Sequence, residues 1–455
     1  MNLLSVFGQI AFAYFMMYAI YSIGTGFYSK WLIKRKNTTE ELPTEDKYSV
    51  SILVPALNEE EVIIDSLKNL LNLEYNNYEV VVVNDGSTDN TLQTIIDYFR
   101  LIKTTPTTLK IRTGDILPTE DVIQYYRSQN GKLIVIDKKN GGKADAFNAG
   151  LNIINSDYVV TVDADTVLTK DAIRKLLQPI YRNEAIVAVG AQVGVANNLT
   201  LEKKGNINTF ELSNNYFNGV QALEYLKTFL IYRTGHHALN ASLLISGACG
   251  LFKTHLLFDL RGFDTNSVCE DIEITMRIQE YTRAENTDML VEFVPEPIAW
   301  TQVPTTYGNL SKQRNRWFRG MAQTLWKYKN MMLNPHMGAV GFFSFPAYFL
   351  FGYLAPFMKA LVLAKMAITG IDYTLLVQGV LVEAMVAYLA ISSVKFTNSP
   401  LQSRKDKLKL AWYSAVELVW MQFFYMFVQI KGGFQALTGN KSWNKFNRIS
   451  FNKAT

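Results

Sequence analysis

The charged residues of this 455-residue chain are distributed very unevenly. The first 29 residues contain no Lys, Arg, Asp or Glu, and neither does the run 338–358. An apolar stretch of about 20 residues is long enough to cross the hydrocarbon core of a bilayer as a helix. The chain as a whole has 19% charged residues and a mean hydropathy of +0.03, so much of it is suited to water. These features predict a protein with membrane helices and a soluble body.

Residues 1–29 are predicted to form an N-terminal transmembrane helix. The basic linker 30–47 follows this helix, whereas the basic region of a cleaved signal peptide precedes the apolar run. Because positively charged flanks remain in the cytoplasm, the N-terminus is expected outside and the following residues inside. The region 331–430 is predicted to contain about three further membrane helices, at 340–368, 373–394 and 410–430. A multi-pass protein of the cell membrane is therefore expected.

The charges near the C-terminus do not fit a single topology. The loop 395–409 has five basic residues and one acid, which places it in the cytoplasm. The basic C-terminal tail 431–455 has five basic residues and no acid, yet four spans would place it outside. Either one apolar run does not cross the membrane, or the tail departs from the charge rule.

Two acids, Glu383 and Glu417, lie inside predicted membrane helices. An acid in such a helix is costly and usually faces a bundle interior or an aqueous path. The sequence leaves open whether these acids line a pore or make satisfied contacts within the bundle.

The net charge of +5 does not indicate a nucleic-acid partner. Much of the basic excess falls in the membrane-flanking segments 30–36, 395–409 and 431–455. With only two cysteines and four histidines, the chain also shows no disulfide framework and no zinc-ligand spacing.

The region 48–330 alternates short β-branched runs with helical stretches. Strands are predicted at 49–55, 78–83, 132–136 and 157–162, with helices at 59–73, 88–101, 144–153 and 272–281. This alternation is typical of an α/β domain with a mostly parallel, Rossmann-like sheet covered by helices. Residues 102–130 and 196–235 fit the pattern poorly and are expected to be loops or small helices on the rim of the site.

Carboxylates follow two of the predicted strands. Asp85 ends the second strand, and Asp163 and Asp165 end the fourth. In parallel sheets these ends share one edge, where ligands bind. Two carboxylates two positions apart can share a hard divalent cation, although Asp-x-Asp also simply caps turns.

Lys143 follows a glycine-rich turn, Asn140-Gly141-Gly142, that leads into a helix. Such a turn is suited to phosphate contact through backbone N–H groups and an ammonium. The chain contains neither G-x-x-x-x-G-K-[ST] nor G-x-G-x-x-G, which disfavours an ATPase and a nicotinamide enzyme.

Two later motifs have both a structural and a catalytic interpretation. Glu270-Asp271 opens a predicted helix, where the pair is either a helix cap or a general base with a neighbour. The segment 313–319 (QRNRWFR) is either a basic membrane flank or a clamp for diphosphate and sugar.

Six motifs follow one another along the chain: PALNE at 55–59, NDGSTD at 84–89, GGKADAFNAG at 141–150, DAD at 163–165, ED at 270–271 and Q-x-x-R-W at 313–317. Together and in this order, they resemble the membrane-bound family 2 glycosyltransferases, in particular the processive synthases of poly-N-acetylglucosamine, chitin, hyaluronan and cellulose. The resemblance implies a GT-A fold flanked by transmembrane helices, a UDP-sugar donor, and Mg²⁺ or Mn²⁺. It departs at Asn84, where many members have Asp, and at Cys269, where Thr is frequent.

Carried over residue by residue, the resemblance implies five nucleotide-sugar-binding residues: Ala56, Glu59, Asp85, Lys143 and Asp163. Of these, Asp85 would contact the uracil. Asp165 would bind the metal, and Asp271 would be the catalytic base with Glu270 beside it. Acceptor and diphosphate would be held by Gln313, Arg316 and Trp317.

The expected activity is that of an inverting, metal-dependent hexosyltransferase with a cytoplasmic catalytic domain. It would move a sugar, with N-acetylglucosamine the leading expectation, from its UDP donor to a growing β-linked polysaccharide and export the polymer. The alternatives are single-sugar transfer to a lipid or other membrane acceptor, and a transporter or donor-binding regulator with an inactive transferase domain. The expected partners are the donor, a polysaccharide or lipid acceptor, the bilayer and accessory membrane subunits.

Overall fold

The structure is a computed structural model that describes residues 3–36, 42–105 and 116–437. These residues form two compact units. The sheet unit comprises 42–105, 116–211 and 244–303, and the helical unit comprises 3–36, 212–243 and 304–437. The predicted tail 431–455 lies outside the described residues from position 438 onward.

The strands of the described residues are β1 Val50–Ala56, β2 Tyr78–Asp85, β3 Ile102–Thr104, β4 Val122–Arg127, β5 Leu133–Lys138, β6 Tyr158–Val162, β7 Thr166–Leu168, β8 Ile186–Val195, β9 Leu199–Leu201, β10 Ile207–Phe210, β11 Cys249–Lys253 and β12 Leu290–Thr301. The α-helices are α1 Leu3–Lys36, α2 Ile63–Leu70, α3 Thr91–Phe99, α4 Lys143–Leu151, α5 Ala172–Arg182, α6 Tyr216–Leu226, α7 Thr234–His237, α8 Thr254–Asp259, α9 Glu270–Ala284, α10 Tyr307–Lys327, α11 Phe345–Ala347, α12 Ala355–Thr369, α13 Tyr373–Ser393, α14 Arg404–Val416 and α15 Gln422–Leu437. π-helical segments at Lys227–Arg233, Val340–Ser344, Tyr348–Tyr353 and Glu417–Met421 adjoin several of these helices.

The sheet unit is built on a ten-stranded sheet in the order β3-β4-β5-β2-β1-β6-β11-β8-β12-β7. The four strands β5, β2, β1 and β6 are mutually parallel, and nearly all of their residues are buried. Continuous β-branched runs suit strands that are covered on both faces, which explains why these four were predictable. The α/β, GT-A-like fold class predicted from the sequence is thus confirmed, with the parallel strands at its centre.

The remainder of the sheet is mixed rather than parallel. β11 runs antiparallel between β6 and β8, and β7 runs antiparallel to β12. The expectation that 102–130 forms loops or small helices is wrong, because this region contributes β3 and β4, which pair antiparallel at the edge of the sheet. The residues of β3 and β4 are partly or fully exposed, so they lack the apolar run that marks a central strand.

Residues 196–235 also contain more regular structure than expected. Strands β9 and β10 form a separate antiparallel pair in the sheet unit. The rest of the region, from Tyr216 onward, is helical and belongs to the helical unit.

The core of the sheet unit places the N-termini of two helices at the carboxyl edge of the parallel strands. Leu53 of β1 and Val83 of β2 share a buried cluster with Phe147 of α4 and Ile274 of α9. Gly150 lets α4 approach the sheet, because a Cβ atom there would lie 3.0 Å from a methyl group of Leu53. The first residues of α4 and α9 therefore lie at the edge of the sheet where ligands bind in parallel sheets.

Among the described residues, two helices are long and apolar enough to cross a membrane: Val6–Arg35 and Tyr373–Phe396. A third span is possible if Val340–Tyr353 and Ala355–Thr369, bent by 45° at their junction, count as one. The predicted span 410–430 lies within the helical run 404–437, which is not one of these candidate spans. That span and the side of the C-terminus remain predictions.

The two acids in the predicted membrane helices make ion pairs within the helical unit. The Lys227 ammonium lies 2.7 Å from Glu417 Oε1 and 3.4 Å from Glu383 Oε2. Tyr18 also donates a hydrogen bond of 2.6 Å to Glu383 Oε1. Of the two possibilities that the sequence left open, satisfied contacts within the bundle fit these distances.

Candidate active site

The carboxyl end of β2 and the glycine-rich turn are joined through one buried carboxylate. Asp85 is 2% exposed, and its carboxylate accepts hydrogen bonds from Gly141 N at 2.9 Å and Gly142 N at 2.8 Å. Asn140 donates to the same carboxylate at 3.1 Å and to the Asp85 carbonyl at 2.7 Å. The Lys138 ammonium lies 2.7 Å from Asp85 Oδ1 and forms an ion pair with this carboxylate.

These bonds alter the expectation for the glycine-rich turn. The N–H groups of Gly141 and Gly142 were expected to be available to phosphate, but in this structure they bind Asp85. Gly86 permits the close approach, because its φ is +70° and a Cβ atom there would lie 2.8 Å from the Asn140 nitrogen. The contact between Asp85 and uracil remains a prediction.

The departure at Asn84 has a local explanation. Asn84 of β2 is opposite Asp137 of β5 in the parallel register, and its Nδ2 donates to Asp137 Oδ1 at 2.8 Å. An aspartate at position 84 would bring two carboxylates together at a partly buried site, which is unfavourable. Asparagine therefore suits this strand pair.

Lys143 lies at the centre of a carboxylate cluster. Its ammonium is 2.7 Å from Asp163 Oδ1 and 2.7 Å from Glu270 Oε1. Burial lowers the pKa of Lys143, but the carboxylates of Asp163, Glu270 and Asp271 outweigh that effect and raise it. Burial raises the pKa of Asp163, and the Lys143 ammonium opposes this shift. The structure thus brings together residues from the start of α4, the end of β6 and the start of α9.

Asp271 is held by backbone donors. Its Oδ1 accepts from Ile272 N at 2.8 Å, and its Oδ2 accepts from Gly247 N at 3.2 Å. Burial, followed by the neighbouring Glu270 carboxylate, raises the pKa of Asp271 above the ordinary range of an aspartate. A carboxylate with a raised pKa accepts a proton more readily, which is the property required of a general base.

Asp165 provides oxygen ligands of the kind that Mg²⁺ and Mn²⁺ prefer. It follows β6, is 2% exposed, and accepts a hydrogen bond of 3.2 Å from Thr301 Oγ1. No group of three or more His, Cys, Asp or Glu arranged to hold a metal occurs in the described part of the chain. A site with few protein ligands still fits Mg²⁺, since this ion usually retains waters and substrate phosphates among its ligands.

Ala56 and Glu59 lie next to the end of β2, and their contact with the nucleotide remains a prediction. Ala56 is the last residue of β1 and is opposite Asn84 in the parallel register. Glu59 is 8% exposed, and its backbone N–H donates to Thr91 Oγ1 at 2.7 Å. Both residues are therefore at the same sheet edge as Asp85.

Gln313, Arg316 and Trp317 are on one helix, α10, in the helical unit. Arg314, the basic residue between them, is 7% exposed and pairs with Glu224 Oε2 at 2.8 Å. Its guanidinium also lies 4.4 Å from the centre of the Trp317 ring. Arg314 thus fixes the position of Trp317 within this unit.

Three contributors were missed by sequence reasoning. Lys138 is a fully buried cation, Gly247 donates to Asp271, and Glu224 pairs with Arg314. A Cβ atom at Gly247 would lie 2.9 Å from the Lys143 ammonium, so only glycine fits that position without a shift. Among these three, the one sequence signal is the glycine-containing segment 246–250 (SGACG), which includes Gly247.

Comparisons with known proteins indicate the family. The model of "Glycosyltransferase like family 2" matches residues 118–320, and that of "Glycosyl transferase family 2" matches residues 51–110. The poly-beta-1,6-N-acetyl-D-glucosamine synthase of Staphylococcus epidermidis is 26% identical over 324 residues, which is 70% of this chain and 66% of that protein. The enzyme of the same name from Staphylococcus aureus is 26% identical over 64% of this chain, which spans 58% of that protein.

A solved structure shares the fold. The mannosyltransferase PcManGT from Pyrobaculum calidifontis, determined in complex with GDP-Man and Mn²⁺, superposes with a TM-score of 0.52 at 19% identity and covers 90% of this chain and 99% of its own. The two family models, the relatives and this fold agree with the resemblance seen in the motifs. The chain belongs to the family 2 glycosyltransferases.

Proposed function

We propose that the protein is an inverting glycosyltransferase that uses a UDP-sugar donor, with UDP-N-acetylglucosamine the leading candidate. The single observation that carries the proposal is the cluster of Lys143, Asp163, Glu270 and Asp271 at the carboxyl edge of the parallel strands. Two curated relatives are named as poly-N-acetylglucosamine synthases, which supports this choice of sugar.

In the proposed reaction, Asp271 acts as the general base. One of its oxygens takes the proton of the acceptor hydroxyl while that hydroxyl attacks the anomeric carbon of the donor. Attack occurs opposite the departing diphosphate, so an α-linked donor gives a β-linked product. The backbone N–H groups of Gly247 and Ile272 orient the carboxylate and leave it further lone pairs for this proton. Burial, and after it the Glu270 carboxylate, keep the pKa of the base raised.

Negative charge accumulates on the departing diphosphate as the glycosidic bond breaks. The Lys143 ammonium, fixed by Asp163 and Glu270, is the cation of the sheet unit proposed to lie beside the nucleotide and diphosphate. Arg316, with Gln313 and Trp317, is proposed to hold acceptor and diphosphate. Interactions that strengthen as the charge develops lower the barrier rather than only the dissociation constant.

The residues present fit a divalent cation, with Asp165 as the protein ligand and Asp163 beside it facing the donor. Such an ion, Mg²⁺ or Mn²⁺, would supply charge neutralisation at the donor phosphates. The buried carboxylate of Asp165 and the Mn²⁺ in the structural neighbour support this assignment.

We further propose that the acceptor is the end of a growing β-linked polysaccharide and that the helical unit takes part in its export. The catalytic unit would then be cytoplasmic, where UDP-sugars are made. The alternative is a single transfer to a lipid, with the helices serving as an anchor. The names of the curated relatives favour the polysaccharide.

Membranes containing the full chain, incubated with radiolabelled UDP-sugars and Mg²⁺ or Mn²⁺, test these proposals. A high-molecular-weight product from one donor supports the polysaccharide synthase, and a single product that extracts into organic solvent supports the alternative. Donor binding without transfer or hydrolysis from any UDP-sugar would refute both.

A further inference from the structure

A fully buried lysine lies behind the candidate active site. Lys138 is the last residue of β5 and is 0% exposed. Its ammonium contacts Asp85 Oδ1 at 2.7 Å, Asp145 Oδ1 at 2.5 Å and the Lys139 carbonyl at 2.5 Å. Two of its three N–H donors have acceptors, Asp85 Oδ1 and the Lys139 carbonyl, and the Asp145 carboxylate lies against the ammonium as a second ion-pair partner. A fully buried ammonium held by these contacts is not accessible to a substrate.

The two carboxylates on Lys138 connect four segments of the chain. Asp85 ends β2 and also accepts from the N–H groups of Gly141 and Gly142. Asp145 lies in the first turn of α4, and its Oδ2 accepts from Glu120 N at 3.0 Å. The ammonium thus joins the ends of β2 and β5, the turn 139–142 and the start of α4.

Charge explains why the link depends on a cation. Asp85 and Asp145 are 2% and 5% exposed, and each is in contact with the same ammonium. Without it, two buried carboxylates would face each other with no compensating charge, which is strongly unfavourable. The turn would then open, which would weaken the bonds to Gly141 and Gly142.

The turn controls Lys143. This residue opens α4, immediately after Gly142, and its ammonium must reach Asp163 and Glu270 at 2.7 Å each. Gly141 lies directly against the Asp145 side chain, because a Cβ atom there would lie 2.5 Å from Asp145 Cγ.

We propose that Lys138 is a positioning residue for donor binding. It does not touch the substrate; it neutralises Asp85 and Asp145 and so closes the turn that presents Lys143 to the nucleotide diphosphate. This inference rests on the proposed function, because it takes the sugar donor to be the ligand of Lys143.

The test compares Lys138→Met with Lys139→Met in the full chain. Lys139 is the matched control, since it is the next residue, its side chain is 62% exposed, and it pairs with exposed Asp121. Donor KM and kcat are measured together with hydrogen–deuterium exchange of the peptide 138–146. We expect Lys138→Met to raise the donor KM by about tenfold or more, the effect of losing one charge-assisted contact, with a much smaller change in kcat. The amides of the turn should exchange faster in this variant and remain protected in Lys139→Met.

A second variant covers the case in which Lys138→Met does not fold. Lys138→Met combined with Asp145→Asn removes one charge of each sign, so it should be recovered in folded form while its turn still exchanges faster than that of the wild type. Unchanged exchange and unchanged KM in a folded variant would overturn the proposal, as would a loss confined to kcat. Exchange is read without substrate; therefore, if the wild type transfers no sugar, the proposed function fails while the positioning of the turn is still tested.

Discussion

Replacing Asp271 with Asn isolates the chemical step of the proposed reaction. The amide has nearly the same shape as the carboxylate, but it cannot accept a proton at neutral pH. The amide oxygen could still accept from Ile272 N, the shorter of the two backbone bonds to Asp271 at 2.8 Å. The bond from Gly247 N, at 3.2 Å, would be lost or would face an NH₂ group.

The structure allows the two consequences to be compared. Loss of a hydrogen bond to a partly buried carboxylate costs at most about 1–3 kcal/mol of folding stability. This cost is partly offset, because Asp271 is destabilised in its charged form by burial and by the Glu270 carboxylate. A general base contributes about 10²–10⁴ in rate, which corresponds to about 3–5 kcal/mol of transition-state stabilisation. The fall in kcat should therefore exceed any fall in activity that the lower folding stability alone could cause.

The assay measures kcat with saturating donor, donor binding by calorimetry, and thermal unfolding of the purified protein. The matched control is Asp259→Asn, the same substitution at an exposed residue of the sheet unit. We expect kcat to fall by at least about 10²-fold in Asp271→Asn, with donor affinity retained. Turnover within a few-fold of the control would refute the assignment of Asp271 as the base.

Three further predictions follow from the ion pairs and the pKa shifts. As the pH is lowered, kcat should begin to fall above the ordinary pKa of aspartate, about 3.9, because Asp271 must be ionised and its pKa is raised. A kcat that stays constant down to pH 4 would contradict this. Lys143→Met should lower the melting temperature and raise the donor KM, because it leaves Glu270, the more buried of its two carboxylate partners, unneutralised. Breaking a buried pair costs about 3–5 kcal/mol, and the partial exposure of Lys143 makes this an upper value. An unchanged melting temperature would contradict the stabilising role of the cluster. Lys227→Met should reduce the yield of monodisperse protein in detergent, because it leaves the buried Glu417 carboxylate without its cation. Adding Glu417→Gln to this variant should restore part of the yield. Equal yields from the single variant, the double variant and the wild type would show that this ion pair contributes nothing.

The central strands and the edge on which the site lies were predictable because local patterns decide them. Strand β2 is a run of β-branched residues that ends in Asn-Asp-Gly, and a buried parallel strand needs this pattern. The edge strands β3 and β4 were not predictable, because strands exposed at a sheet edge have no continuous apolar run. Likewise, no local pattern indicates that β11 runs antiparallel beside β6, since that direction depends on how the chain returns to the sheet.

The sequence by itself determined the apolar helices, the alternation of strands and helices, and the order of motifs that defines the family. Each of these is a property of neighbouring residues. The tertiary structure alone decided the partners of the buried charges: Lys138 meets Asp85 across 53 positions, and Lys227 meets Glu417 across 190. Asp85, interpreted from its motif as a contact to the nucleotide base, is in the fold also the anchor of the glycine-rich turn. The physical reason is that a buried charge is stable only beside a compensating group, and packing selects that group without regard to separation along the chain.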